Sequence, residues 1–163
     1  MPTIRHARPE DASAIAAVWN PVILHTAATF NGVARTAEDI AGMMAARAAD
    51  GDPWLVAEDS EGLLGFASFT RFRPGIGYAH TMEHTIILAD RATGRGLGPR
   101  LMAELVDAAR ARGAHSLIAA ISAENDPAIA FHARCGFVEV GRIPEAGRKF
   151  DRWLDLVLMQ LRL

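Results

Sequence analysis

Residues 81–112 read TMEHTIILADRATGRGLGPRLMAELVDAARAR, and the rest of the chain is ordered around them. Thr81 to Leu88 is rich in β-branched and apolar residues, with Thr85, Ile86 and Ile87 consecutive, and predicts a strand. Gly94, Gly96 and Gly98 alternate with Arg95 and Leu97. From Leu97 onward Leu101, Leu105 and Ala109 recur every four residues, the apolar stripe of a helix. Arg110, Arg112 and then Gly113 form a C-terminal stop signal. A strand, a glycine turn and a helix make an anion site. Without β-carbons the backbone can wrap closely around a ligand. The first N–H groups of the helix have no partner within it and point at that ligand, on the positive end of the helix dipole. A pyrophosphate suits such a turn.

Two common phosphate motifs are excluded. No Gly-Lys-Ser/Thr follows the glycines, so this is not a Walker A loop. A dinucleotide fingerprint wants glycine where Pro99 stands.

Outward from this unit, Thr3–Arg8 predicts a first strand, and Pro9-Glu10-Asp11 opens a helix with acidic residues in its first turn. Pro21 is expected to kink or break that helix, turning residues 20–32 into a loop. Thr36 begins a second helix. Trp54–Glu58 and Leu63–Phe72 read as a hairpin closed at Asp59–Gly62, and the strand leading into the glycine turn is taken to start at Tyr78. Ser116–Ile121 is an apolar strand, and Asp126-Pro127 starts a helix ending before Gly136. Phe137–Val140 reads as a strand and Arg142–Arg148 as a polar loop. Asp151–Leu163 reads as a last strand, apolar on both faces and so buried on both. Residues 1–163 are expected to form a single domain, an α/β (α+β) fold with a mixed sheet and helices on both faces.

Net charge is −2 and the isoelectric point near 6.3, which gives no basic field for nucleic acid. No apolar run reaches membrane-spanning length, and MPTIRHARPED has no apolar signal core. The single cysteine, Cys135, forbids an internal disulfide and fits a reducing cytoplasm. His80-Thr81-Met82-Glu83-His84 matches the inverted zinc-peptidase motif, but that motif needs a helix and this segment reads as a strand, so no metal is expected.

Thr93-Gly94-Arg95-Gly96-Leu97-Gly98 resembles motif A of the GNAT N-acetyltransferase superfamily, with Thr93 where Arg or Gln is usual. The order of elements is also similar along nearly the whole chain. The resemblance implies a GNAT-like, mostly antiparallel central sheet and acetyl-CoA as co-substrate. It would be held by Ile86, Leu88, the turn from Thr93 to Gly98, and Asn125. Three further stretches resemble the phosphinothricin and methionine sulfoximine acetyltransferases: Thr81–Ile86 with its Glu, Arg73-Pro74, and Gly147-x-Lys149-Phe150-x-Arg152-Trp153-x-Asp155. The Tyr often found four residues after the Glu is Ile87 here, and a further Arg of the sulfoximine relatives is Ala79.

Acetyl transfer to an amine needs a base, since the amine is protonated at neutral pH. Glu83 is the candidate, an acidic residue in mid-strand without obvious structural use. His132 stands where many family members carry a Tyr before Gly136-Phe137, and is the candidate to assist the departing thiolate. Asn125 also reads as the N-cap of the helix at Asp126. A guanidinium can clasp an amino acid carboxylate, for which Arg73 is the first candidate and Arg71 the second. Phe30, Tyr78 and Lys149 are candidates to line the acceptor pocket. The expected acceptor is a small-molecule amine, an amino acid analogue. A peptide terminus, a polyamine or an aminoglycoside remains open, as does a non-catalytic CoA-binding module. The subgroup resemblance further implies a homodimer.

Overall fold

The computed structural model describes residues 1–163. In chain order it contains β1 (Thr3–His6), α1 (Ala12–His25), α2 (Ala37–Ala49), β2 (Trp54–Asp59), β3 (Gly62–Arg71), β4 (Thr81–Leu88), α3 (Leu97–Ala111), β5 (Ser116–Ser122), α4 (Asp126–Arg134), β6 (Val138–Lys149) and β7 (Arg152–Arg162). The strands form one seven-stranded sheet in the order β1-β2-β3-β4-β5-β7-β6. Only β4 and β5 are parallel; every other neighbouring pair is antiparallel.

Strand alternation explains the layers. Trp54, Val56 and Phe66 face one side, where they pack with Ile15, Trp19 and Ile23 of α1 and Ile40 of α2. Leu55, Ala67, Phe69 and Met82 face the other, against Leu101, Met102, Leu105 and Ala109 of α3. The predicted α3 stripe of Leu97, Leu101, Leu105 and Ala109 is buried throughout. No helix is long and apolar enough to cross a membrane.

Four local expectations need correction. Helix α1 runs through Pro21 to His25. Pro21 sits on its solvent face, where water can take the carbonyl it leaves unbonded, while Ile15, Trp19 and Ile23 bury the opposite face. Residues 76–78 form a short 3-10 turn, so β4 begins at Thr81 rather than Tyr78. Arg142–Arg148 is not a loop but belongs to β6, whose register with β7 shifts between Ile143 and Gly147. The Asp155 carboxylate accepts the Glu145 N–H at 2.8 Å in that shift. An edge strand exposed on both faces is polar for the same reason a loop is. Strand β7 buries Val157 and Met159 on one face and Leu154 on the other, where Leu156, Leu158 and Gln160 are only partly buried.

Strands β3 and β4 approach closely at Gly65, where an added Cβ would lie 2.5 Å from the Ile87 carbonyl oxygen. That neighbour is backbone in a paired strand and cannot move aside. Gly65→Ala should therefore destabilise the fold by about 1–3 kcal/mol, measured as a lower urea midpoint with an unchanged m-value; an unchanged midpoint would contradict this packing.

Candidate active site

The site is built where the sheet comes apart. Strands β4 and β5 are paired only from Thr81↔Ser116 to Glu83↔Ile118. Beyond that point β4 continues to Leu88 on β3 and β5 continues to Ser122 on β7, without each other. The split opens a cavity of about 450 Å³ lined by Glu83–Ile87, Ala119–Ser122, Trp19, Phe30, Asn125 and His132, among others. The β4 backbone groups on this side have no strand partner, so an extended ligand carrying amides can bond to them.

At the far end of β4, Gly94 and Gly96 have φ of 75° and 71°, left-handed values that favour glycine. Gly96 is the N-cap of α3, with no side-chain cap and no acidic residue in the first turn. By helix geometry the N–H groups of Gly96, Leu97 and Gly98 lack intrahelical partners, and Pro99 has none to offer. A Cβ on Gly94 or Gly96 would meet no protein atom within 4 Å, whereas one on Gly98 would stand 3.1 Å from the Phe131 ring. The turn thus presents free donors to open space, with α4 packed directly beneath. Thr93 closes the preceding 3-10 turn, and Arg95 lies half-exposed, 4.0 Å from Asp59. Ile86 lines the cavity, and Leu88 lies against Gly98, linking strand to turn.

Glu83 is at the closed end of the split. Alternation puts it on the same face as Ile87 and the α1 layer, opposite Met82 and His84. Burial pushes its carboxyl pKa up, and the nearby Arg73 guanidinium partly opposes this. Arg73 is exposed and lies over the Phe72 ring at 4.9 Å. Phe30 lines the cavity from the segment after α1.

His132 is 5% exposed, and its surroundings reveal a residue that sequence reasoning missed. Its Nε2 lies 2.9 Å from Nε2 of His84, and its Nδ1 lies 2.7 Å from the Ala128 carbonyl oxygen. His84 Nδ1 lies 3.0 Å from the Ile118 carbonyl oxygen, at the last β4–β5 pair before the split. A carbonyl can only accept, so each Nδ1 carries the hydrogen. The two Nε2 atoms then face each other with lone pairs, a place for one further proton. Burial disfavours the charged form of both imidazoles. It lowers the pKa of His132, and, with the second imidazole adding to burial, that of His84 to about 3. The only signal for His84 in the sequence is its place beside Glu83. There it reads as part of a zinc motif, but His80 and His84 both turn to backbone carbonyls, of Gly113 and Ile118.

Asn125 caps α4 through Oδ1, which accepts the Ala128 N–H at 3.2 Å, and it also lines the cavity. The structure thus brings Glu83, Ile86, Phe30, Asn125 and His132 together, with Arg73 acting on Glu83 through its charge. It does not bring in Arg71, exposed at the end of β3, or Tyr78, which packs on Phe72 outside the cavity. Lys149 is also absent from the lining: its ammonium is taken up by three backbone carbonyls.

Comparison with known proteins agrees with this geometry. The model of the acetyltransferase (GNAT) family matches residues 19–137. The L-methionine sulfoximine/L-methionine sulfone acetyltransferase of Pseudomonas paraeruginosa is 42% identical over 165 residues, covering 99% of this chain and 94% of that protein. The L-amino acid N-acyltransferase MnaT of Escherichia coli is 39% identical over 161 residues, with the same two coverages of 99% and 94%. Among solved structures, the phosphinothricin acetyltransferase of Sinorhizobium meliloti in complex with acetyl-CoA superposes with a TM-score of 0.94 at 31% identity, over 99% of this chain and 88% of that one. Split sheet, glycine turn and these matches lead to one conclusion: the chain belongs to the GNAT acetyltransferases, enzymes that take their acetyl group from acetyl-CoA.

Proposed function

We propose that this enzyme acetylates the α-amino group of a small amino acid analogue of the methionine sulfoximine, methionine sulfone or phosphinothricin type, by direct transfer in a ternary complex. The observation that carries the reading is Glu83: a carboxylate with a raised pKa, at the closed end of the split, lining the same cavity as Phe30 and within the field of Arg73. The activities named for the relatives support the acceptor class. In this reading the pyrophosphate of acetyl-CoA sits on the Gly94–Gly98 turn, its arm runs along the unpaired edge of β4, and Asn125 donates to it. Arg73 receives the acceptor carboxylate. Glu83 takes a proton from the ammonium, often through water, and the freed lone pair attacks the thioester carbonyl. Backbone N–H groups of the split polarise that carbonyl. The carbon–sulfur bond breaks, the nitrogen gives up its second proton, which His132 Nε2 relays to the thiolate, and the first proton leaves through Glu83 to solvent.

CoA thiol release with a panel of acceptors tests this: sulfoximine, sulfone, phosphinothricin, ordinary L-amino acids, a polyamine and peptides. Selective turnover of the first three is expected. Turnover of peptides or polyamines alone would replace the acceptor and keep the donor site.

The imidazole contact adds an expectation of its own. If His84 acts through His132, then His84→Phe, His132→Phe and the double variant should lose turnover to a similar extent. The coupling in a double-mutant cycle would exceed about 1 kcal/mol; additive losses would assign the two residues separate roles. We also propose a homodimer. Val138, Val140 and Ile143 on the edge strand β6, and Trp153 on β7, are large apolar side chains 44–65% exposed, the kind of surface a second copy covers. A monomer mass by light scattering would refute it.

A further inference from the structure

Lys149 is 7% exposed, at the end of β6, and its ammonium donates to the carbonyls of Ile23 at 2.6 Å, Thr26 at 2.6 Å and Thr29 at 2.8 Å. Three N–H groups meet three oxygens, so none is left for a ligand. The Ile23 carbonyl is among the last of α1, at the negative end of the helix dipole. The other two belong to the segment that carries Thr29, Phe30 and Asn31 into the cavity. Every other side-chain hydrogen bond of residues 26–33 is local, within four positions in sequence. Lys149 reaches this segment across 120 or more positions. Two residues earlier, Gly147 lies against the Phe30 ring so closely that a Cβ there would run into it. One strand end therefore fixes the segment twice, by hydrogen bonds and by contact.

We propose that Lys149 and Gly147 are positioning residues that hold the 26–31 segment as the acceptor-side wall of the active site, and so set acceptor affinity without touching the acceptor. This rests on the reading of the cavity as the place of acetyl transfer. It gives a different role to Lys149 from the pocket-lining one expected from the sequence. The absence of a β-carbon at residue 147 also acquires a function: it makes room for the Phe30 ring.

The test uses Lys149→Met, which keeps most of the side-chain stem and removes the donors, and Gly147→Ala, which pushes on Phe30. Either variant should raise the acceptor KM by about tenfold or more while the acetyl-CoA KM stays within about twofold. Amide exchange, read on the protein without any acceptor, should speed up at residues 26–31 in Lys149→Met and stay unchanged in β3 and β4. If Lys149→Met does not fold, Gly147→Ala carries the kinetic test. Unchanged acceptor KM in a folded variant overturns the proposal. So does an equal rise in both KM values, or exchange that speeds up across the whole sheet, since each reports a general structural role. Failure of the wild-type enzyme to acetylate any acceptor would reject the transfer reading instead, and the exchange measurement would still decide whether the clamp exists.

Discussion

Replacing Glu83 by Gln should lower kcat by about a hundredfold to ten-thousandfold, the usual worth of a general base, with the acetyl-CoA KM nearly unchanged. The substitution keeps side-chain size and removes only the capacity to take a proton. The Gly94–Gly98 turn lies beyond the other end of β4, so donor binding has no reason to change. The pH profile gives an independent check. Burial raises the Glu83 pKa, so in the free enzyme the carboxyl stays protonated to a higher pH than an exposed Glu. As base it must be ionised. Activity therefore rises with pH through that raised value, and in kcat/KM this limb belongs to the free enzyme. In Glu83→Gln the limb should disappear. Arg73 opposes the shift, so Arg73→Ala should move the limb to higher pH as well as raise the acceptor KM. Full turnover in Glu83→Gln would remove Glu83 from the chemistry and leave the His84–His132 pair as the remaining buried proton site.

How much of this was legible in the sequence depends on how far each feature reaches. The α3 stripe, the glycine turn and the cap of α4 by Asn125 are written within a few residues of each other, and the structure has them as expected. The split between β4 and β5 is not local. It arises because each strand keeps a different neighbour, and no residue in Thr85–Leu88 announces it. Arg142–Arg148 reads as a loop because an exposed edge strand has no apolar face to alternate, and the carboxylate holding its shift comes from Asp155 on the next strand. The oxygens that bind Lys149 are backbone, so they leave no mark on composition at all. His84 is hidden for another reason. Its partner on α4 is 48 residues away, and a buried imidazole in a strand looks like any other packing residue.

The turn itself yields the other large effect. Gly96→Asp should raise the acetyl-CoA KM by about a hundredfold at a cost to stability of about 1 kcal/mol. Asp is among the non-glycine residues that best tolerate the left-handed conformation. At Gly96, with φ of 71°, its Cβ meets no protein atom within 4 Å. The new charge sits at the positive end of the α3 dipole, which offsets part of that backbone strain. The pyrophosphate loses the space it occupied and meets a like charge. Being pushed off two of the turn's N–H donors, at about 1.5 kcal/mol for each hydrogen bond to a charged group, costs it about 3 kcal/mol, a factor of roughly a hundred. Gly96→Asn separates the contributions, because it has nearly the same shape and the same tolerance for this backbone but no charge. Its KM should fall between the two, and the gap between Asn and Asp measures repulsion alone. That gap should shrink as salt is added, since the turn is open to solvent. If instead Gly96→Asp binds acetyl-CoA as well as the wild type, the pyrophosphate does not sit on the first turn of α3. The free N–H groups there would then be satisfied by water.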